Sequence, residues 1–259
     1  MMAEHWTPGA PLLRVASYNI HRCVGLDRRR RPGRVAAVIR EIDADILGLQ
    51  EVDWMAASGP GAASQAEFLA ELEGYTAVEG ANLRDHRGHY GNMLLTRLPV
   101  RRVTRLRLRT SRRAPRGAIE AELDWRGLPL RVLVTHFGLG LRERRVQAAQ
   151  LARRVARAPC VPTLLLGDLN DWMPGDPTIR ALTHMPSPTA RPASFPAWAP
   201  LFALDRILTW GLGHPPRVRS HRTPAARMAS DHLPVVGEVA VLARNPEPPT
   251  TVDPTPAGC

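Results

Sequence analysis

Apolar and polar positions follow two rhythms along this chain, and the switches between them mark out its elements. Leu13 to Ile20 reads as a strand. Val35, Val38, Ile39 and Ile42 then recur at the i, i+3, i+4, i+7 spacing of a helix face, with Pro32 and Gly33 leading in. Ile46 to Val52 reads as a buried strand. A helix is expected from Ser64 to Gly74, where Ser64 and Glu67 form a capping box and Gly74 a stop. Asn92 to Thr96, Val103 to Arg109, Ile119 to Asp124 and Leu130 to Thr135 read as strands. A longer helix, Arg142 to Arg157, carries Ala148, Leu151, Ala152 and Val155 as an apolar stripe among arginines. Pro162 to Leu166 is a short strand ending in Gly-Asp-Leu-Asn.

Two stretches echo each other. RVASYNIH, helix, ADILGLQE in the first half is matched by RVLVTHFG, helix, VPTLLLGDLN in the second. The step from Asn19 to Glu51 is 32 residues, and so is the step from His136 to Asp168. In each unit a strand ends in a polar residue, a helix crosses back, and the next strand ends in a carboxylate. Strands joined by a crossover helix run parallel, and ligands in open α/β sheets gather beyond the strand ends. Four polar side chains are therefore expected to converge on one rim.

Composition narrows the class. With 259 residues, 44% of them hydrophobic, the chain can bury a full core without a metal or disulfide to hold it together. Residues 245–259 hold five prolines and no apolar period, which predicts a disordered tail, whereas residues 1–244 contain no comparable linker and read as one domain. Cys23, Cys160 and Cys259 form no CxxC pair, which argues against a thiolate zinc site and for a reducing compartment. No signal-like opening and no apolar run of about 18 residues is found, so a soluble cytoplasmic protein without a transmembrane segment is expected. No obligate protein partner is implied. The net charge of +11 rests on arginine alone, and a compositional bias explains it about as well as a nucleic-acid ligand does.

A carboxylate at the end of an apolar strand, as at Glu51 and Asp168, is poorly explained as surface. Taken singly, each could be a helix cap or an edge salt bridge. Two of them, with the carboxamides Asn19 and Asn170 as partners, suit Mg²⁺ or Mn²⁺, which bind through one or two carboxylates plus a substrate phosphate. The implied chemistry is phosphoryl transfer. Ser230-Asp231-His232 precedes the strand-like LPVVGEVAV, and LDRIL places Asp205 where it could accept the imidazole N–H of His232 and raise its basicity.

SYNIH, LQEVD, GNMLLTRLP, THFG, GDLN, LDRIL and SDHLPV, in this order between residues 14 and 239, resemble the motif set of the endonuclease/exonuclease/phosphatase superfamily, the DNase I-like fold. The resemblance implies a four-layer α/β sandwich, two packed β-sheets flanked by helices, with the active site on the upper rim. It implies Glu51 as metal ligand, Asn19 beside it, and Asp231 as a further ligand or water-mediated contact. Asp168 would orient or deprotonate the attacking water. Asn170 and His136 would hold the scissile phosphate, and Asp205 and His232 would form a dyad, with His232 taken first as the base and, alternatively, as a charged donor to the phosphate. Arg116, Asn92 and Tyr90 match positions lining the family's site. The implied activity is Mg²⁺- or Mn²⁺-dependent hydrolysis of a phosphodiester by in-line water attack.

The family spans several substrates. Nucleic acid is taken first here, with phospholipid head groups or small phosphodiesters as the alternative; a non-catalytic binding module is disfavoured by the complete residue set. From Arg97 to Arg116 there are nine arginines and no acidic residue. Arg105, Arg107 and Arg109 alternate with Leu106 and Leu108, so three guanidinium groups share one strand face, as a phosphate-tracking surface or a solvated edge. Arg28 to Arg31 and the pair His86 and His89 read as polar loops, and His184, His214 and His221 as surface residues without carboxylate partners. Trp172, directly after GDLND, is the tryptophan expected to touch substrate.

Overall fold

The computed structural model describes residues 12–54, 64–85, 88–108, 116–157, 161–173, 180, 182, 190–212 and 216–241. One sheet holds β1 (Leu12–Asn19), β2 (Ile46–Asp53), β3 (Thr76–Asp85), β4 (Gly88–Thr96), β10 (Arg217–Ser220) and β11 (Val235–Ala240), in the order β10-β11-β1-β2-β4-β3. The other holds β5 (Val100–Leu108), β6 (Arg116–Trp125), β7 (Leu128–His136), β8 (Thr163–Asp168) and β9 (Asp205–Trp210), paired in chain order. The helices are α1 (Pro32–Ile42), α2 (Gln65–Ala70), α3 (Leu141–Ala156) and α4 (Pro224–Ala229).

Three apolar slabs separate four layers, as the family resemblance implies. Leu13, Val15, Ile46, Ile119, Val134 and Leu166 fill the space between the sheets. Tyr18, Leu47 and Leu49 point the other way, onto Val35 and Ile39 of α1 and Leu69 of α2. Leu133, Phe137 and Leu165 take Ala148, Leu151 and Val155 of α3. Because the central strands are covered on both faces, they read as continuous apolar runs rather than alternating ones.

Both echoed units form parallel pairs: β1 runs with β2, Asn19 opposite Gln50, and β7 with β8, His136 opposite Asp168. The capping box of α2 forms as expected, with the Ser64 hydroxyl accepting from the Glu67 N–H, but the helix stops at Ala70. The strand expected from Val103 begins at Val100. β3, β10 and α4 were not foreseen. Arg109 and the segment 245–259 lie outside the described residues. No helix among the described residues is long and apolar enough to cross a membrane.

Candidate active site

Asp168, only 2% exposed, is the hub of the rim. β7 and antiparallel β9 flank β8 and set His136 and Asp205 opposite Asp168 from either side. Asp168 Oδ2 accepts from Asn19 Nδ2 at 3.0 Å, a bond that joins the two sheets, and Oδ1 accepts the Asn170 backbone N–H at 2.9 Å. His136 Nε2 lies 3.5 Å and His232 Nε2 3.9 Å from Oδ2. Asn170 takes a left-handed φ of 50°, which asparagine tolerates well, and its Nδ2 donates to the Phe137 carbonyl at 2.9 Å and faces His136 Nε2 at 3.2 Å.

The two histidines differ in charge. Burial pushes the His136 pKa down to about 3, with the Arg116 and His232 charges adding to the effect and Asp168 opposing it. Burial also works against charge on His232, but the Asp205 carboxylate, 2.8 Å from Nδ1, together with Asp168 and Asp231, outweighs it and lifts the pKa to about 10.

The first unit is built more openly. Pairing of β2 with β4 shifts register between Leu49 and Val52, and Glu51 within that bulge adopts a φ of 58°. A bulge re-aims a side chain out of the regular pleat. Glu51 is half-buried and makes no hydrogen bond or ion pair among the described residues. Beyond Asn19, the residues His21, Arg22 and Cys23 all have positive φ, of 44°, 51° and 58°, a strained turn of the kind that clusters at functional sites. His21 N–H donates to Asn19 Oδ1 at 3.0 Å, and His21 Nδ1 lies 3.6 Å from Asp231 Oδ1. Ser230 Oγ donates to the Asn19 carbonyl at 2.8 Å and accepts the His232 N–H at 3.2 Å, tying the Asp231-His232 loop to β1. Neither His21 nor Ser230 was singled out in the sequence, although Ser230 stands inside the SDH triplet.

Asn92 is buried, its Nδ2 donates to the Gly117 carbonyl beside Arg116, and its Oδ1 has no hydrogen-bond partner among the described residues. Arg22 stacks over the Tyr90 ring at 4.4 Å. Trp172 packs edge-on against Phe195 and Phe202, at 5.5 and 5.3 Å, and the Phe195 ring lies 4.9 Å from that of His232, so these aromatics back the dyad. Arg28 to Arg31 lie in an exposed loop, with Arg30 paired to the buried Asp53. One reading needs correction: His221 Nε2 meets a carboxylate, Glu41, at 3.0 Å. Arg105 Nε is engaged by the Glu79 carbonyl at 2.8 Å, while Arg107 is exposed. The side chains of His86 and His89, and residues His184 and His214, lie outside the described residues.

The model of the Endonuclease/Exonuclease/phosphatase family matches residues 16–232. The chain belongs to this family. It is 29% identical over 253 residues to the YbhP protein of Escherichia coli (strain K12), covering 87% of this chain and 95% of that one. An endonuclease/exonuclease/phosphatase from Beutenbergia cavernae superposes with a TM-score of 0.71 at 25% identity, over 89% of this chain and 72% of its own. The fold is also that of the Bacteroides thetaiotaomicron mannosyl-6-phosphatase, with a TM-score of 0.69 at 19% identity, over 88% and 99% of the two chains.

Members of this family are generally divalent-metal-dependent hydrolases, and two groups of side chains bear on where an ion would bind. Asp168, Asp205 and His232 bring ligand atoms within 4.8 Å of one another, but His232 Nδ1 is committed to Asp205 and Asp168 Oδ2 to Asn19. Glu51, Asn19 and Asp231 offer oxygen alone, and the Glu51 carboxylate has no protein partner among the described residues. Hard oxygen donors with a free carboxylate fit Mg²⁺ or Mn²⁺.

Proposed function

We propose that this family member is a phosphodiesterase that uses Mg²⁺ or Mn²⁺ held by Glu51, Asn19 and Asp231. When bound, the ion neutralises phosphate charge and lowers the pKa of water. Asn170 and the uncharged His136 hold the scissile phosphate, with Arg116 and Asn92 on its flank. Asp168 orients the attacking water and takes its proton as the new P–O bond forms in line with the one that breaks. His232 begins as the imidazolium, neutralises an equatorial oxygen and passes its Nε2 proton to the departing oxygen. Asp205 keeps the ring oriented for that transfer. We choose the acid role for His232 over the base role because the Asp205 carboxylate, 2.8 Å from Nδ1, favours the protonated ring. The observation carrying the proposal is the buried run Asp205–His232–Asp168, at 2.8 and 3.9 Å, together with a Glu51 that has no partner among the described residues.

The substrate readings part at the surface around the site. For nucleic acid, the C-terminal end of β5 helps: Leu108 pairs with Arg116, so exposed Arg107 stands near the rim, although Arg105 is held by β3. For phospholipid head groups, the apolar side chains of the rim loops argue instead. The test is a panel of bis-p-nitrophenyl phosphate, DNA, RNA, phospholipid and a sugar monophosphate, with EDTA and with Mg²⁺. Diester hydrolysis in Mg²⁺ that stops in EDTA is expected. Activity on the monoester alone would contradict a phosphodiesterase.

A further inference from the structure

The rim is ringed with apolar side chains that the hydrolytic chemistry does not use. Five described loops that deliver site residues each also expose one. Leu26 follows Asn19; Leu139, 62% exposed, follows His136; Met173, 67% exposed, follows Asp168 and Asn170. Trp198 and Leu201, 66% and 76% exposed, tip the hairpin that leads into Asp205, and Met228 precedes Asp231 and His232. Of the large apolar side chains exposed among the described residues, only Leu12, Phe68 and Val146 lie away from these loops.

The loops are braced as a collar. The Phe195–Phe202 hairpin is closed by backbone bonds, and Arg227 donates to the carbonyls of Ala197 and Trp198, at 3.2 and 3.0 Å. The Leu26 N–H donates to the Met228 carbonyl at 3.2 Å. Exposed charge between the apolar tips is mostly positive, with Arg28, Arg29, Arg142, Arg145 and Arg222 in the solvent. Most acids on the same loops are spent or buried: Asp27 pairs with Arg34, Asp171 with Arg191 and Arg206, and Glu143 is buried, while Asp231, partly exposed, lies beside His21.

A clustered apolar surface rimmed by polar residues marks a docking site, and its position limits what can dock. Whatever covers the collar also covers the catalytic groups at its centre, so a productive occupant must itself present phosphoesters. Single-stranded nucleic acid is gripped by aromatic platforms on which bases stack, whereas this collar is mostly Leu and Met. Aliphatic and indole tips interleaved with arginine suit the boundary between head groups and acyl chains of an anionic membrane.

We infer that this collar adsorbs to an anionic lipid bilayer and presents head-group phosphodiesters to the site, an inference that rests on the phosphodiesterase reading above. The test is co-sedimentation of the full chain with phosphatidylglycerol–phosphatidylcholine vesicles, in EDTA so that no turnover intervenes. Wild type is expected to pellet with these vesicles, and far less with pure phosphatidylcholine. Trp198→Ser/Leu201→Ser is expected to weaken binding by about a hundredfold, since each exposed anchor contributes roughly a factor of ten. Leu139→Ser, on a different loop, is expected to weaken it by about tenfold, which a lone hairpin anchor would not produce. All variants should hydrolyse bis-p-nitrophenyl phosphate in Mg²⁺ as wild type does, which reports that they are folded. Failure of that hydrolysis in wild type sinks the phosphodiesterase reading and is seen separately from vesicle binding. No vesicle binding by wild type, equal binding by the double variant, or self-association that the double variant abolishes would each overturn the docking inference.

Discussion

The two strand–helix–strand units are near copies in sequence spacing and opposites in finish. In the second, β7–α3–β8, the terminal carboxylate Asp168 is buried and already engaged by Asn19, the Asn170 N–H and two imidazoles. In the first, β1–α1–β2, the carboxylate Glu51, two residues before the end of β2, is turned by a bulge into a left-handed backbone conformation and left half-exposed without a described partner. One unit thus supplies a rigid, preorganised half-site, and the other an unsatisfied donor that a ligand can complete. The same supersecondary structure serves both ends because a single register shift in β2 redirects Glu51.

The contrast can be broken most severely at Asp168. Asp168→Ala is expected to lower turnover of bis-p-nitrophenyl phosphate by about 10²- to 10⁴-fold. It should also depress Tm, because Asn19 Nδ2 loses its acceptor in a buried setting, at about 1–3 kcal/mol per stranded group. His232→Ala and Asp205→Asn should each cost activity on a similar scale, and the pair together little more than either alone, since they act as a unit. Multiplicative losses in the double variant would contradict the dyad.

The histidines sharpen the comparison through pH. The folded pKa of His136 is about 3, below the ordinary 6.5, so the unfolded chain takes up a proton the folded one refuses, and stability is lost as pH falls from 6.5 toward 3. His232, at about 10, has the opposite sign: its contribution is full below 6.5 and lost as pH rises through 10. Melting curves against pH should therefore lose part of their acid limb in His136→Gln and part of their alkaline limb in His232→Ala. Unchanged limbs would contradict the assignments. The smallest effect is expected where α1 meets the loop before α4: Glu41→Ala removes contacts to His221 and Thr223 on the surface and should cost about 1 kcal/mol or less.

The echo of 32 residues made both half-sites legible, because buried parallel strands write themselves as apolar runs and their ends as isolated polar residues. β3 was hidden for a physical reason. Its Gly80 reads as a turn signal, yet a Cβ there would come within 2.4 Å of Ile119, so glycine is what lets the sheets close at that edge. Glu51 was legible as an acid at a strand end, but the bulge that frees it leaves no mark in apolar periodicity. His21 and Ser230 act through backbone contacts set by the left-handed turn after Asn19, which spacing alone does not reveal. The charge of His232 depends on three carboxylates drawn from β8, β9 and its own loop, a convergence visible only in three dimensions.

The contrast between the two carboxylates is tested most directly by pairing metal titration with melting for Glu51→Gln. After EDTA treatment, hydrolysis of bis-p-nitrophenyl phosphate by wild type should return with added Mg²⁺ or Mn²⁺. Glu51→Gln should need at least about tenfold more metal, on the order of 1.4 kcal/mol of lost binding, while keeping the wild-type Tm. Full activity in EDTA, an unchanged metal requirement, or a fall in Tm as large as that of Asp168→Ala would contradict Glu51 as the open, metal-taking end of the site.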